Sequence, residues 1–394
     1  MAWKVEKLYL TDIKGVKAAA VSCGLKENNK LDLALIVFDK PANAASMFTR
    51  NTVKAAPVIV SKRHLEKYGL IQAIVINSGQ ANACTGERGI KDAEFMAEEV
   101  AKRIGIEKEL VFVASTGKIG AYLERDKVAY GIDLAFKNLS KNSGKDIAEA
   151  IMTTDTFPKL SGVKNGNVII SGIAKGAGMI HPNMATMLVF IGTNAKLGNE
   201  ALKRVLKRSV DKSFHQISID GCSSTNDTVL IFSTEEEEEE DISEKSFQKG
   251  LDMVTQNLAK MIAKDGEGAK KLVEVSVEKA KSLKKARIMA RAVVMSNLVK
   301  AAIAGGDDNW GRVLASIGQT EYVFDLDKIE LYIGEHLVFA KNEPLGYNSQ
   351  EVKNYLKGSE VRIRIILNEG RYNAISWGCD LTEDYVKINA YYRT

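Results

Sequence analysis

The run KGAGMIHPNMATMLVF at 175–190 places the pair Ala185-Thr186 between a glycine-rich turn and an apolar stretch suited to a buried strand. A threonine hydroxyl is a weak nucleophile, and inside an intact chain its backbone nitrogen is an amide with no useful basicity. Cleavage before Thr186 turns that amide into an α-amine of reference pKa about 7.7–8.0, so roughly one molecule in seven carries the neutral base at pH 7. One residue then supplies nucleophile and base together. The same hydroxyl can make the cut: it attacks the Ala185 carbonyl, the acyl group shifts from nitrogen to oxygen, and water hydrolyses the ester. The small side chain of Ala185 leaves its carbonyl accessible, and the β-branch of Thr186 limits χ1 and holds the oxygen in place. On local sequence alone the same pair also reads as a plain strand entry.

Other segments offer partners for such a nucleophile. Ala114-Ser115-Thr116-Gly117 follows an apolar run and can present the Thr116 hydroxyl and the Gly117 amide to a developing oxyanion; its alternative is a strand-to-helix turn. Lys264-Asp265-Gly266-Glu267-Gly268 sets a carboxylate between glycines, where it can meet a substrate ammonium, although by composition it reads as a solvated turn. His181, five residues before Thr186, is available as a general base, but a histidine beside a proline is more often structural. Gly176-x-Gly178 lacks the third glycine of a dinucleotide loop, since His181 stands there, so no nucleotide site is expected. Asp307 and Asp308 in GGDDNWGR have no further ligand set, and a structural loop is preferred to a cation site.

These residues need strands and helices to hold them. VKAAAVSCGL and LDLALIVFD between Val16 and Phe38 read as paired strands, IQAIVIN as a strand leading into a glycine-rich loop, and Lys91 to Ile104 as a helix. LVFVAS is a second strand, followed by a helix from Lys127 to Leu139. NVIISGIA ends at the glycine-rich turn, and MLVFIGTNA follows Thr186. GNEALKRVLKRSVDKSF is a helix by its three- and four-residue apolar spacing. SIDGCSSTNDTVLIFST is loop then strand, helical patterns cover Ser243 to Ala263 and Lys284 to Ala304 with LVEVSVEKA as a strand between, and the tail from Lys328 is mostly strands. The acidic run Glu235 to Asp241 reads as an exposed turn. The mixture favours an α/β or α+β layered sandwich over a doubly wound parallel sheet.

Composition excludes several function classes. With 394 residues, 45% hydrophobic and 27% charged, the chain can bury a substantial core, and it contains no run of the roughly 20 apolar residues that a membrane span requires. A net charge of +5, with no basic stripe interleaved with aromatics, argues against a nucleic-acid partner. Cys23, Cys84, Cys222 and Cys379 form no C-x-x-C pair, so neither a metal site nor a disulfide framework is expected, and reduced thiols in a cytoplasmic protein are the reading. MAWKVEKLYLTDIKG has neither the apolar core of a signal peptide nor the composition of a transit peptide.

Taken together, the chain resembles the ornithine acetyltransferase family of arginine biosynthesis, also called glutamate N-acetyltransferases. The resemblance runs through NSGQANACTG at 77–86, ASTGKIG at 114–120, MTTDTFPK at 152–159, KGAGMIHPNMATML at 175–188 and GCSSTNDT at 221–228. It continues through KDGEGAKK at 264–271, GGDDNWGR at 305–312 and WGCDLTEDYVKINAYYRT at 377–394. It implies a layered αββα-type sandwich and a precursor that cleaves itself at Ala185-Thr186 into an α chain of 1–185 and a β chain of 186–394, paired as a heterotetramer. It further implies Thr186 as the acetyl-accepting nucleophile, Thr116 and Gly117 as the oxyanion pair, and substrate contacts at Thr153, Lys175, Thr186, Glu267, Asn389 and Thr394. The implied reaction moves acetyl from N-acetylornithine to glutamate without a cofactor, with acetyl-CoA as a second donor. Cationic and hydroxyl groups suit the substrate α-carboxylate, and Glu267 suits its side-chain ammonium. Lys118 departs from the family, which has an apolar residue there, but the departure spares Thr116 and Gly117. The rival readings are an aminopeptidase or amidohydrolase of the same fold, which gives the acyl group to water, and an uncleaved metabolite-binding protein.

Overall fold

A computed structural model describes residues 2–181, 187–235 and 242–391. Ala185, Thr186 and Thr394, and all of the acidic run except Glu235, fall outside them. Two sheets account for the described strands, one of nine strands and one of six.

The larger sheet is folded into two layers, and the two-residue period of its strands shows how. Leu33 and Leu35, Val75, and Val111 and Val113 point into a core shared with the helices Ala56–Tyr68, Gly86–Ile104 and Arg125–Lys137. Their neighbours Ala34 and Ile36, Ile74 and Ile76, and Phe112 and Ala114 point the other way, into a core that also holds Ile173, Leu188, Phe190, Leu230 and Phe232. On that second layer Ile170, Val189, Ile191, Val229 and Ile231 face outward again, onto the helices Asn199–Lys212 and Glu244–Lys264. Helices, sheet, sheet and helices thus stack around three cores, which is the αββα sandwich that the resemblance implies.

One long strand joins the two layers. Leu33–Phe48 pairs with Leu70–Gln80 over its first half and with Thr228–Ser233 over Asn43 to Phe48, and its register shifts between Val37 and Ala42. Asp39, Lys40 and Pro41 are exposed at that shift, and Pro41 has no N–H to give to a ladder. The bend lets Phe38 and Phe232, on strands of opposite layers, meet with ring centroids 4.4 Å apart.

The six-stranded sheet has Leu272–Ala280 at its heart, parallel to Glu360–Ile366 and antiparallel to Tyr372–Cys379. Val273, Val275 and Val277 pack against Met289, Val293 and Ile317. Trp377, Cys379 and Leu272 belong to the same core as the helix Glu244–Lys264, so this lobe is continuous with the sandwich.

The sequence expectations hold for most strands and require correction for several helices. The expected helix Lys91 to Ile104 starts earlier, at Gly86. The single helix expected from Lys284 to Ala304 is two, Leu283–Met295 and Asn297–Gly305, bent by 55°. Ser296 between them is extended, and its hydroxyl caps the second helix by accepting the Val299 N–H at 3.4 Å. No single described helix is long and apolar enough to cross a membrane; this bent pair meets that length and composition together, yet it buries Met289, Val293, Val299 and Ile303 in the second core. The tail contains the helices Ser349–Leu356 and Glu383–Tyr391 as well as strands.

Candidate active site

Where the two layers of the sandwich open beside the second lobe, a pocket of about 150 Å³ is lined by Thr116, Gly117, Thr153, Lys175, Glu267 and Asn389. These are all the residues that the resemblance places in the site and that lie among the described residues. Sequence distance gives no hint of their meeting; strand ends do. Thr116 and Gly117 are among the last residues of Val111–Lys118, and Lys175 is the last of Val168–Lys175. Lys175 pairs with Leu188, which opens the strand after the Ala185-Thr186 segment, and Leu188 pairs in turn with Thr228. Met187, the residue bonded to Thr186, donates its N–H to Asp227 Oδ1 at 2.9 Å, and Asn226 beside Asp227 lines the pocket.

The Thr116-Gly117 pair is not the strand-to-helix turn that its sequence allows. It lies within the strand and pairs in parallel register with Ser78 and Gly79. Gly117 has φ +120°, and a Cβ there would lie 2.4 Å from the Gly79 carbonyl carbon. Only glycine meets both conditions. Asn226 fixes this corner from the other layer: its Nδ2 donates to Ala81 O at 2.7 Å and to Ser115 O at 2.8 Å. Lys118 is exposed at the strand end.

The Glu267 turn is likewise not solvated. Glu267 is 8% exposed, its N–H donates to Ala177 O at 2.8 Å, and its Oε2 accepts from Asn389 Nδ2 at 2.9 Å. Its carboxylate leans on Gly178, where a Cβ would lie 2.4 Å from both Cδ and Oε2. Because that neighbour is the free end of a side chain, Gly178→Ala is expected to fold and to displace the carboxylate. With Glu267 expected to meet a substrate ammonium, KM for a substrate bearing one is expected to rise roughly 10-fold or more while kcat changes little. Steady-state kinetics on the variant test this; an unchanged KM would remove Glu267 from substrate binding.

Lys175 is 2% exposed, and burial lowers its pKa, with the carboxylate of Asp155 opposing. Burial alone would raise the Asp155 carboxyl, but the ammonium groups of Lys175 and Lys159 and the Gly176 N–H outweigh it and hold it at about 2. Asp155 Oδ1 accepts from Lys159 Nζ at 2.6 Å and from Gly176 N at 2.7 Å, and its Oδ2 accepts from Thr153 N at 3.0 Å.

Several pocket residues were not singled out from the sequence. Asp220 accepts the N–H groups of Met179 at 2.5 Å, Ile180 at 2.9 Å and Cys222 at 3.1 Å, and holds Met179 at φ +55° on the pocket wall. Tyr385 is pushed up to about 12 by burial and by the carboxylates of Asp220 and Glu267. Ser224, Thr225 and Asn226 read from sequence as part of a loop and lie in the segment GCSSTNDT that carries the resemblance, which gives them no individual role. His181 does not line the pocket, and burial and Arg291 lower its pKa. Asp308 accepts hydrogen bonds from Ser349 at 2.6 Å and Tyr347 at 3.1 Å, a structural engagement of the GGDDNWGR loop. Among the described residues no group of three His, Cys, Asp or Glu side chains is placed to hold a metal ion.

The ArgJ family model matches residues 17–394. The arginine biosynthesis bifunctional protein ArgJ of Caldanaerobacter subterraneus subsp. tengcongensis is 47% identical over 394 residues, covering 97% of each chain. The protein of the same description from Bacillus subtilis is 44% identical over 390 residues, covering 97% of this chain and 95% of its own. Among solved structures, the arginine biosynthesis bifunctional protein ArgJ of Bacillus halodurans aligns with 38% identity and a TM-score of 0.50, over 52% of this chain and 98% of its own.

Proposed function

The chain belongs to the ArgJ family and is an acyltransferase of arginine biosynthesis, and from that premise we propose that it moves acetyl from N-acetylornithine to glutamate through an acetyl ester on Thr186. The observation that carries the reading is the convergence of Thr116, Gly117, Thr153, Lys175, Glu267 and Asn389 on one pocket, beside the strand that begins just after Thr186. The precursor cleaves itself between Ala185 and Thr186, which frees the threonine amine as base. Thr186 Oγ attacks the acetyl carbonyl, the Thr116 hydroxyl and Gly117 amide hold the oxyanion, and the amine passes its proton to the departing ornithine nitrogen. Glutamate then occupies the same pocket. Its neutral amine attacks the ester and leaves as N-acetylglutamate.

The charges in the pocket divide the work. Lys175 and Thr153 take the α-carboxylate that both substrates carry, Glu267 held by Asn389 takes the ornithine ammonium, and Thr394 is a further substrate contact. One amide is exchanged for a similar one, so the reaction needs no cofactor. Acetyl-CoA serves as a second donor to the same Thr186, the chains 1–185 and 186–394 assemble as a heterotetramer, and the enzyme works in the cytoplasm. N-acetylglutamate formation by the purified protein, measured with N-acetylornithine and with acetyl-CoA in separate assays, tests the reading. Glutamate-dependent product with N-acetylornithine is expected. Acetate release that does not depend on glutamate would replace the transferase by a hydrolase.

A further inference from the structure

Lys175 has a buried carboxylate for a neighbour but no hydrogen bond to it. Its Nζ stands 4.0 Å from Asp155 Oδ2, and among the described residues nothing accepts a hydrogen bond from it. An ammonium buried beside a carboxylate ordinarily closes to 2.7–2.9 Å, because the desolvated pair gains most at contact. The oxygen nearer Lys175, Oδ2, accepts the Thr153 N–H, while the other, Oδ1, is held by a second lysine. Lys159, fully buried, lies 2.6 Å from Asp155 Oδ1 and 2.6 Å from Asp265 Oδ2. Asp265 is further bound by the N–H of Thr156 at 3.0 Å and by the Thr156 hydroxyl, while Asp155 takes the N–H groups of Gly176 and Thr153.

The result is a buried row of alternating charge, Lys175, Asp155, Lys159, Asp265, whose last member is two residues from Glu267. We propose that Lys159 is a positioning residue for substrate binding: by occupying Asp155 it leaves the Lys175 ammonium to the substrate α-carboxylate, and by holding Asp265 it ties that anchor to the turn that carries Glu267. The two charges that grip opposite ends of an α,ω-charged amino acid are thereby kept in one frame. Without Lys159, Asp155 turns to Lys175 and competes with every incoming carboxylate. This rests on the reading of Lys175 as the carboxylate anchor.

The test is a set of variants assayed with N-acetylornithine and glutamate, with intact mass to confirm cleavage. Lys159→Met is expected to raise KM for both substrates roughly 10- to 100-fold, as loss of a charge-assisted contact does, with kcat within about 3-fold of the parent. Lys159→Arg, which keeps the charge, is expected to stay near the parent. Adding Asp155→Asn to Lys159→Met removes the competing carboxylate and is expected to recover most of the lost affinity, an outcome that a merely structural lysine does not produce. Lys159→Gln carries the same expectation as Lys159→Met where the methionine variant does not fold. An unchanged KM in Lys159→Met, or a double variant no better than the single one, overturns the proposal. An unchanged KM in Lys175→Met instead overturns the assignment of the anchor on which it rests.

Discussion

Replacing Thr186 by alanine is expected to leave one species of 43.1 kDa, uncleaved and without acetyl-transfer activity. Both losses come from the same atom. Without Oγ nothing attacks the Ala185 carbonyl, so the amide survives and no threonine amine is formed, and without Oγ there is no site for the acetyl ester. Removing the nucleophile from an enzyme of this kind lowers kcat by about 10⁴-fold or more, because the remaining binding groups cannot substitute for the missing bond. Thr186→Ser keeps the oxygen and loses the β-methyl that restricts χ1. It is expected to cleave and to transfer acetyl more slowly. Intact mass after purification and a single-turnover acetylation assay measure the two steps separately, and an active or cleaved Thr186→Ala protein would take the nucleophile away from this position.

Gly117→Ala is expected to lower kcat about 100- to 1000-fold, the range for loss of an oxyanion donor, worth about 3–4 kcal/mol. The alanine methyl would lie 2.4 Å from the Gly79 carbonyl carbon and 2.6 Å from its oxygen, and backbone cannot swing aside as a side chain can. Gly79 is itself held, at φ +122° and with Leu25 O 2.7 Å from where its own Cβ would be, so the strain moves the Gly117 amide and the neighbouring Thr116. Gly105→Ala is the control. Gly105 also has a positive φ, +79°, but open space around its Cβ position, so it is expected to cost about 1 kcal/mol of stability with kcat unchanged. Thermal melts and kcat for both variants separate left-handed strain from damage to the oxyanion corner; equal kcat in the two would refute the role of Gly117.

Much of the scaffold was legible because strand and helix periods are written in the order of apolar residues. Ile74, Val75 and Ile76 alternate between cores, and the helix Asn199–Lys212 buries Leu202, Val205, Leu206 and Val210 at helical spacing. The errors fall where local pattern and tertiary setting part. Lys284 to Ala304 is apolar at helical spacing throughout, and nothing in the spacing marks Ser296 as the break after which the first half lies on the second sheet and the second half packs against the helices Leu283–Met295 and Trp310–Gly318. Thr116-Gly117 carries turn residues, yet parallel pairing with Ser78 and Gly79 keeps the pair within the strand. Lys264 to Gly268 has the composition of a solvated turn, but Ala177, Gly178 and Asn389 enclose it.

Chemical capacity was readable from order alone: a hydroxyl after a small residue, donors at 116 and 117, a carboxylate at 267, and eight ordered segments that identify the family. Covalent sequence carries that information because a nucleophile and its scissile bond are neighbours in the chain. The state of the charges is another matter. MTTDTFPK enters only as one of the segments that carry the resemblance, and no pattern in it says that Lys159 is wholly buried between Asp155 and Asp265. Desolvation and Coulomb terms depend on everything within several ångströms, and for Lys159 that includes a residue 106 positions away. Folding therefore decides which lysine is consumed in a close internal pair and which one, Lys175, is left facing its carboxylate at 4.0 Å.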